Sequence, residues 1–210
     1  MEKIKWMQQR LGKFTASQIH SLLVGARGRA DDFGKAAMSY IREKAAEILT
    51  GTGEDVTNRA MEWGTFHEPA AVAAYMERYG KAKYYGSENP VFIEHGEYSG
   101  GSPDAVSDTH LIEVKCPYRS VNHVENMLLT ADTFRAEHPD YYAQIQFNML
   151  LTGKSKAHFV SFDPRMACRE QQLCVIEIPA DAEFIAAIIE RIEKAETELK
   201  KIISKIINNE

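Results

Sequence analysis

Two acids and a lysine in the middle of the chain are spaced so that a single hairpin would gather them. The segment reads Ser102-Pro103-Asp104, then Ala105 to His110, then Leu111-Ile112-Glu113-Val114-Lys115. Residues two apart in a strand share a face, so Glu113 and Lys115 project together while Ile112 and Val114 point into the core. Ser107-Asp108-Thr109-His110 carries turn-forming residues between two β-rich runs, and a turn there brings Asp104 alongside from the partner strand. Two carboxylates and an ammonium on one face desolvate badly unless a ligand organises them, and hard oxygen donors suit Mg²⁺ or Mn²⁺. Such a cation is what phosphodiester hydrolysis needs, to polarise the phosphoryl oxygen and lower the pKa of an attacking water. Lys115 can orient or deprotonate that water, or neutralise charge on the phosphate. Alone, Asp followed by Glu-x-Lys is a weak pattern, because solvent-facing strands carry Glu and Lys at this spacing routinely.

The elements that must position these residues are read from periodicity and punctuation. Thr15-Ala16-Ser17-Gln18 has capping-box spacing and predicts a helix from Thr15, with Ser17 in its first turn, where free N–H groups attract a phosphate. Gly25 to Gly34 reads as a loop, and Met38, Ile41, Ala45, Ile48 and Leu49 form an amphipathic stripe ending before Gly51. After a loop over Gly51 to Asp55, a helical stretch runs to Tyr79, where Pro69 either kinks one helix or starts another. The period then shortens: Lys83 to Tyr85, Pro90 to Glu94, Tyr98 to Val106 and Leu111 to Cys116 read as strands of one small sheet.

Pro139 opens a helix with an inward stripe of Tyr142, Ile145, Met149 and Thr152, closed by Gly153. Its Tyr141, Gln144 and Asn148, at i, i+3 and i+7, make a separate polar stripe. Strands follow near Lys156 to Phe162 and Leu173 to Ile178, and a long helix from Asp181 carries Phe184, Ile188, Ile192, Ala195, Leu199, Ile202 and Ile206 at steps of four and three. The expected class is α/β, a central mixed sheet flanked by helices, in one domain over residues 1–210. Within it, 1–80 is mainly helical, 81–180 forms the sheet core and 181–210 the closing helix.

Composition bounds what this fold can serve. With 210 residues, 44% hydrophobic and 26% charged, the chain can build one ordinary core. No apolar run approaches the roughly 20 residues that cross a bilayer, and MEKIKWMQQR has no apolar signal region, so a cytoplasmic protein is expected. Cys116, Cys168 and Cys174 form no C-x-x-C pair and read as reduced thiols. The net charge of −5 hides an asymmetry: residues 1–30 hold Lys3, Lys5, Arg10, Lys13, Arg27 and Arg29 against Glu2, a balance of +5 that leaves −10 elsewhere. One basic face suits a protein that holds a phosphate chain on one surface, and a solvated helix-loop surface explains it equally well.

Other motifs carry less. His67-Glu68 begins a metalloprotease signature but meets Ala71 where a second histidine is needed, and Gly51-Thr52-Gly53 lacks a P-loop's lysine. His20, His95 and His110 lack ligand spacing and read as surface or hydrogen-bonded residues. Trp6 and Trp63 beside apolar neighbours read as buried. Arg165 and Arg169 suit either a solvated turn or contacts to a nucleic-acid backbone.

Six blocks in order give the pattern its company: Arg10-Leu-Gly-Lys-Phe-Thr-Ala-Ser17, Trp63-Gly-Thr-Phe-His-Glu68, Ser102-Pro-Asp104, Glu113-Val-Lys-Cys-Pro117, Ala143-Gln-Ile-Gln146 and Phe162-Asp-Pro-Arg-Met166. In these the chain resembles the lambda exonuclease, or YqaJ-type viral recombinase nucleases, of the PD-(D/E)xK restriction-endonuclease-like superfamily. The resemblance implies a Mg²⁺-dependent deoxyribonuclease, with Mn²⁺ able to substitute, that digests one strand of 5′-phosphorylated linear duplex DNA processively from 5′ to 3′. It implies a bacterial or phage-host setting, a homotrimeric ring and a single-strand annealing partner that takes the 3′ overhang. By position, Asp104, Glu113 and the main-chain carbonyl of Val114 match the metal ligands, Lys115 the catalytic lysine, Glu68 a further acid and Gln144 a water-placing glutamine. Arg10, Ser17 and Ser102 match the 5′-phosphate pocket. Strict spacing puts Val121 where that pocket has a further arginine, and Arg119, two residues earlier, is assigned in its stead. Pro69 leaves open whether Glu68 lies inside a helix or at its cap. An endonuclease of the same superfamily and an inactive DNA-end-binding module are the alternatives.

Overall fold

A computed structural model describes residues 2–26, 29–53, 57–86 and 89–209; Arg27, and residues 54 and 55 of the loop expected from Gly51, lie outside the described residues. The chain opens with helix α1 (Glu2–Arg10) and strand β1 (Phe14–Thr15), followed by a 3₁₀ turn (Ala16–Gln18) and the short helix α2 (His20–Leu23). The helix expected to start at Thr15 is therefore displaced. Phe14 and Thr15 pair in parallel with Ser99 and Gly100, and the Thr15 N–H donates to the Tyr40 hydroxyl at 2.9 Å, so long-range partners claim the backbone that a capping box would have used. Gly25 to Gly34 also differs from a plain loop: β2 (Gly25–Ala26) and β3 (Arg29–Phe33) pair antiparallel.

Helix α3 (Lys35–Thr50) ends at Gly51 in the left-handed region, as the glycine suggests, but Ile48 and Leu49 at its end are exposed rather than core. Helix α4 (Arg59–Tyr79) runs through Pro69 without interruption, capped by the Asn58 side chain. Strands β4 (Lys83–Tyr84), β5 (Ile93–His95), β6 (Ser99–Gly101), β7 (Ala105–Val106) and β8 (Leu111–Lys115) follow. They belong to two sheets, not one. β1, β6 and β5 form a three-stranded sheet, whereas β4, β7 and β8 join β9 (Lys156–Phe162) and β10 (Leu173–Pro179) in a five-stranded sheet of order β10-β9-β8-β7-β4. Only the β8–β9 pairing is parallel in that larger sheet, which makes it mixed.

Between β8 and β9 lie α5 (Ser120–Met127), α6 (Ala131–Glu137) and α7 (Pro139–Thr152), and α8 (Ala182–Asn208) closes the chain. Neither α5 nor α6 is among the expected elements, although Val121, Val124 and Leu128 recur at helical spacing. α5 inverts the usual pattern: His123 and Asn126 are buried on Ser161 while Val121, Val124 and Leu128 face outward. Helix α7 begins at Pro139 and ends at Gly153, whose φ of 66° supplies the left-handed cap.

The central sheet is covered on both sides. α4 brings Ala71, Val72 and Tyr75 against Ile112, Val114 and Val160, while α6 and α7 bring Phe134, Ile145 and Met149 against Leu111 and Phe159. A third apolar cluster joins α2, α3 and α8 to the far side of α7 through Phe14, Leu22, Ile41, Phe147, Ile188 and Leu199. α7 is thus enclosed between sheet and helical layer. α8 follows its expected stripe as far as Leu199, but Ile206 lies 54% exposed. The described cysteines are unpaired, and no described helix is long and apolar enough to cross a membrane.

Candidate active site

The β7–β8 hairpin sets the geometry. Its turn closes through Ser107 N–H to the His110 carbonyl at 2.9 Å, pairing Ala105 with Ile112 and Val106 with Leu111. One further step in that register sets Asp104 opposite Glu113. The Val114 N–H donates to Asp104 Oδ2 at 2.7 Å, which anchors the carboxylate at the end of the short strand.

Glu113 and Lys115 share a face, as the alternation requires, but that face is not open: α7 covers it and Glu113 is fully buried. Glu113 Oε1 accepts from Lys115 Nζ at 2.7 Å and from Gln144 Nε2 at 2.5 Å, and Oε2 accepts from Asn148 Nδ2 at 3.3 Å. Lys115 Nζ also donates to Gln144 Oε1 at 3.3 Å and lies 4.9 Å from the Tyr141 ring centre. The polar stripe of α7 is therefore an inner surface. Tyr141, Gln144 and Asn148 meet the strand residues one helical turn apart, while the Ile145 and Met149 stripe packs on Leu111 and Phe159 beside them. The remaining oxygen of Asn148, Oδ1, is buried with no hydrogen-bond partner among the described residues.

Glu68 reaches the cluster from the interior of α4, which resolves the question raised by Pro69. Its Oε1 accepts from the Tyr84 hydroxyl at 2.9 Å. Sequence reasoning did not single out Tyr84; in Lys83-Tyr84-Tyr85 nothing local distinguishes the tyrosine that faces Glu68. Burial, followed by repulsion from Glu113 and Glu68, pushes the Asp104 carboxyl well above the usual carboxylate range. Burial also raises Glu68, with Glu113 adding to it against the Tyr84 hydrogen bond and Lys115. For Lys115 burial opposes the charge, but Glu113 and Asp104 outweigh it and raise the ammonium's pKa. Burial, then Glu68 and Asp104, pushes the neighbouring Cys116 thiol up to about 12, so it stays a neutral thiol.

Three carboxylates around one ammonium leave negative charge uncompensated in a buried place. The donor set is all oxygen apart from the lysine. Those two features fit a hard divalent cation, whose charge would offset the repulsion that raises Asp104 and Glu68.

A second group lies at the β1–β6 pairing. The Trp6 Nε1–H donates to Ser102 Oγ at 2.8 Å, Arg10 Nη1 donates to the same oxygen at 3.3 Å, and the Arg10 guanidinium stacks 4.4 Å from the Trp6 ring centre. Arg10 and Ser102 therefore come together, and half-buried Trp6 joins them instead of disappearing into the core. Ser17 is exposed and its hydroxyl lies 3.3 Å from Thr15 Oγ1. It sits in the 3₁₀ turn and not in the first turn of a helix, so the helix-dipole argument for a phosphate at Ser17 fails. What brings it near the others is strand pairing: segments 15–17 and 100–102 leave the paired Thr15 and Gly100 side by side. Arg119 is exposed at the start of α5 and forms no hydrogen bond with Arg10, Ser17 or Ser102.

Arg165 and Arg169 are committed within the fold. Arg165 forks onto buried Asp163 at 2.8 and 2.9 Å, donates to the carbonyls of Pro117 and Tyr118 and lies 4.3 Å from the Trp63 ring centre. That brace fixes the loop leaving Lys115. Arg169 pairs with Glu77 on the surface.

Comparison with known proteins adds to this geometry. A family model described as the YqaJ-like viral recombinase domain matches residues 5–155. The alkaline exonuclease LHK-Exo of Laribacter hongkongensis is 32% identical, with 98% of this chain and 97% of that chain covered and a TM-score of 0.80. The same enzyme in complex with dAMP superposes with a TM-score of 0.81. A phage-related exonuclease of Haemophilus somnus 129PT, 21% identical over 92% of this chain and 96% of its own, shares the fold with a TM-score of 0.76. No curated protein sequence matches the chain.

Proposed function

This chain belongs to the YqaJ-like viral recombinase domain family, and from that premise we propose that it is a Mg²⁺-dependent exonuclease of linear duplex DNA. The observation that carries the reading is the convergence of half-buried Glu68 and Asp104 and fully buried Glu113 on Lys115, at the positions where family resemblance expects a metal site. The likeness to an alkaline exonuclease along nearly the whole chain supports the same reaction class.

Asp104, Glu113 and the Val114 main-chain carbonyl hold the cation in this reading, with Glu68 as a further ligand. When bound, Mg²⁺ or Mn²⁺ supplies charge to the phosphoryl oxygen and acidity to a water. The chain's own groups do the rest. Gln144, fixed on Glu113, orients the attacking water, and Lys115 holds charge beside the scissile phosphate. α7 and α4 exclude bulk solvent from both faces of the strand, which strengthens every electrostatic interaction there. Arg10 and Ser102, with Trp6 beneath the guanidinium and Ser17 alongside, receive the terminal 5′-phosphate; Arg119, exposed at the start of α5, completes the contact when DNA is present.

The finer features follow the family. The enzyme degrades one strand processively from 5′ to 3′, works as a homotrimeric ring that turns its basic N-terminal face inward, and leaves a 3′ strand for an annealing protein in the cytoplasm of a bacterium or phage host. The deciding experiment follows linear duplexes labelled at either end, with and without a 5′-phosphate, in Mg²⁺ and in EDTA, beside closed circular DNA. The reading requires Mg²⁺-dependent loss of the 5′ label, preference for the phosphorylated end and intact circles. Cleavage of circles would make the protein an endonuclease instead.

A further inference from the structure

On the other face of the central sheet, away from Glu113, three ligand-type side chains converge from three separate strands or turns. His110 closes the β7–β8 turn, His158 lies on β9 and Glu177 on β10, where it pairs directly with His158. One donor atom from each lies within 4.8 Å of the other two. We propose that His110, His158 and Glu177 form a second metal site, for Zn²⁺ or a similar borderline divalent ion, distinct from the carboxylate cluster.

The chemistry separates the two sites. Two imidazoles and one carboxylate match the nitrogen and oxygen preference of zinc, whereas Mg²⁺ seeks oxygen alone. His110 Nε2 lies 3.1 Å and His158 Nε2 3.8 Å from Glu177 Oε2. Donors around a tetrahedral zinc stand about 3.3 Å apart, given Zn–N and Zn–O near 2.0 to 2.1 Å. The His110–Glu177 edge already meets this. The longer edge closes by a small swing of Glu177, whose side chain is 48% exposed.

The surrounding groups hold both rings for such a role. His158 Nδ1 lies 2.7 Å from the Tyr75 hydroxyl and His110 Nδ1 lies 2.7 Å from Thr109 Oγ1. Each contact occupies the far nitrogen and aims the near one at Glu177, the arrangement by which outer hydroxyl or carboxylate partners orient metal-bound histidines. Lys156 Nζ donates to the other carboxylate oxygen, Oε1, at 2.9 Å, and so can keep its partner while Oε2 binds the ion. With its Nδ1–H donating to the Thr109 oxygen, the imidazole of His110 offers the Nε2 lone pair to the ion, so binding needs no further reactant. Water fills the fourth position on the exposed side. The consequence is mechanical: one ion would tie the hairpin turn to β9 and β10.

Metal-free full-length protein, titrated with ZnCl₂ by calorimetry in excess Mg²⁺, tests the site independently of nuclease activity. We expect one tight Zn²⁺ equivalent, a visible-absorption spectrum of tetrahedral type with Co²⁺, and a higher Tm with Zn²⁺. Glu177→Gln and His110→Asn, both at partly exposed positions, should each weaken binding at least tenfold, while Tyr75→Phe weakens it by about tenfold through His158. Asp104→Asn should leave it within twofold. No Zn²⁺ binding, binding unchanged in both Glu177→Gln and His110→Asn, or binding lost only in Asp104→Asn would each overturn the proposal. The last result would leave the carboxylate cluster as the zinc acceptor without touching its proposed role in hydrolysis.

Discussion

The main-chain N–H of Val114 donates to Asp104 Oδ2 at 2.7 Å, binding the residue before β7 to the strand that carries Glu113 and Lys115. Asparagine at 104 can accept the same bond through its amide oxygen. Asp104→Asn should therefore fold and bind DNA nearly as wild type, since binding draws on many phosphate contacts, while Mg²⁺-dependent hydrolysis falls by about 10³-fold or more. In EDTA the variant should unfold at higher urea concentration than wild type, because one of three mutually repelling carboxylates is gone. A variant less stable than wild type without metal would contradict the charge argument.

Gln144 tests how Glu113 and Lys115 are held. Alanine removes the 2.5 Å bond to Glu113 and the contact to Lys115, and turnover should fall by about 10²-fold with little change in KM for DNA. Gln144→Glu adds a fourth carboxylate to a buried site. It should lower Tm in EDTA and recover part of that loss on adding Mg²⁺, read by thermal unfolding at several Mg²⁺ concentrations.

Gly101 is where β6 meets α7. A Cβ there would collide with Asn148 Oδ1 and stand 2.7 Å from Leu151 Cδ1 and 2.9 Å from the Ala16 Cβ, so Gly101→Ala must displace all three. Overpacking of this kind costs about 1–3 kcal/mol, measurable by urea unfolding. Activity should fall as well, because the displaced Asn148 donates to Glu113.

Asp163 gives the fold an acid-sensitive brace. Burial pushes its carboxyl up, but hydrogen bonds from the Arg165 side chain and main chain outweigh it and hold the group at about 2. A carboxylate lowered on folding stabilises above its unfolded value near 3.9 and loses that contribution as pH falls toward about 2. Arg165 is 40% exposed, so solvent screening reduces the contribution to about 1–2 kcal/mol. Urea midpoints of wild type and Asp163→Asn should differ at neutral pH and converge between about pH 4 and pH 2. Parallel curves across that window would assign the effect to packing.

Local order in the chain was enough for much of this. The period-2 run from Leu111 to Lys115, the turn residues 107–110, the Pro139 and Gly153 boundaries and the Asp181 cap each depend on neighbours a few residues away, and each is present. The same order brought Asp104 to Glu113 and marked Gln144 and Asn148 as a stripe apart. It did not show that this stripe would bury Glu113, because a strand's alternation says which side chains share a face and not what covers it.

Pairing between distant segments decided the remainder. Thr15 became a strand residue because Gly100 and Tyr40 take its backbone, α5 turned His123 and Asn126 inward because Ser161 waits there, and Tyr84 found Glu68 across two elements. His110, which has no ligand spacing in the chain, stands beside His158 and Glu177 only through sheet register. The sequence alone determined the hairpin and the residue types that could hold a cation on it. Tertiary structure decided how deeply that cluster is buried and which further groups face it, since periodicity records near neighbours, whereas burial and long-range hydrogen bonds depend on contacts the linear order does not encode.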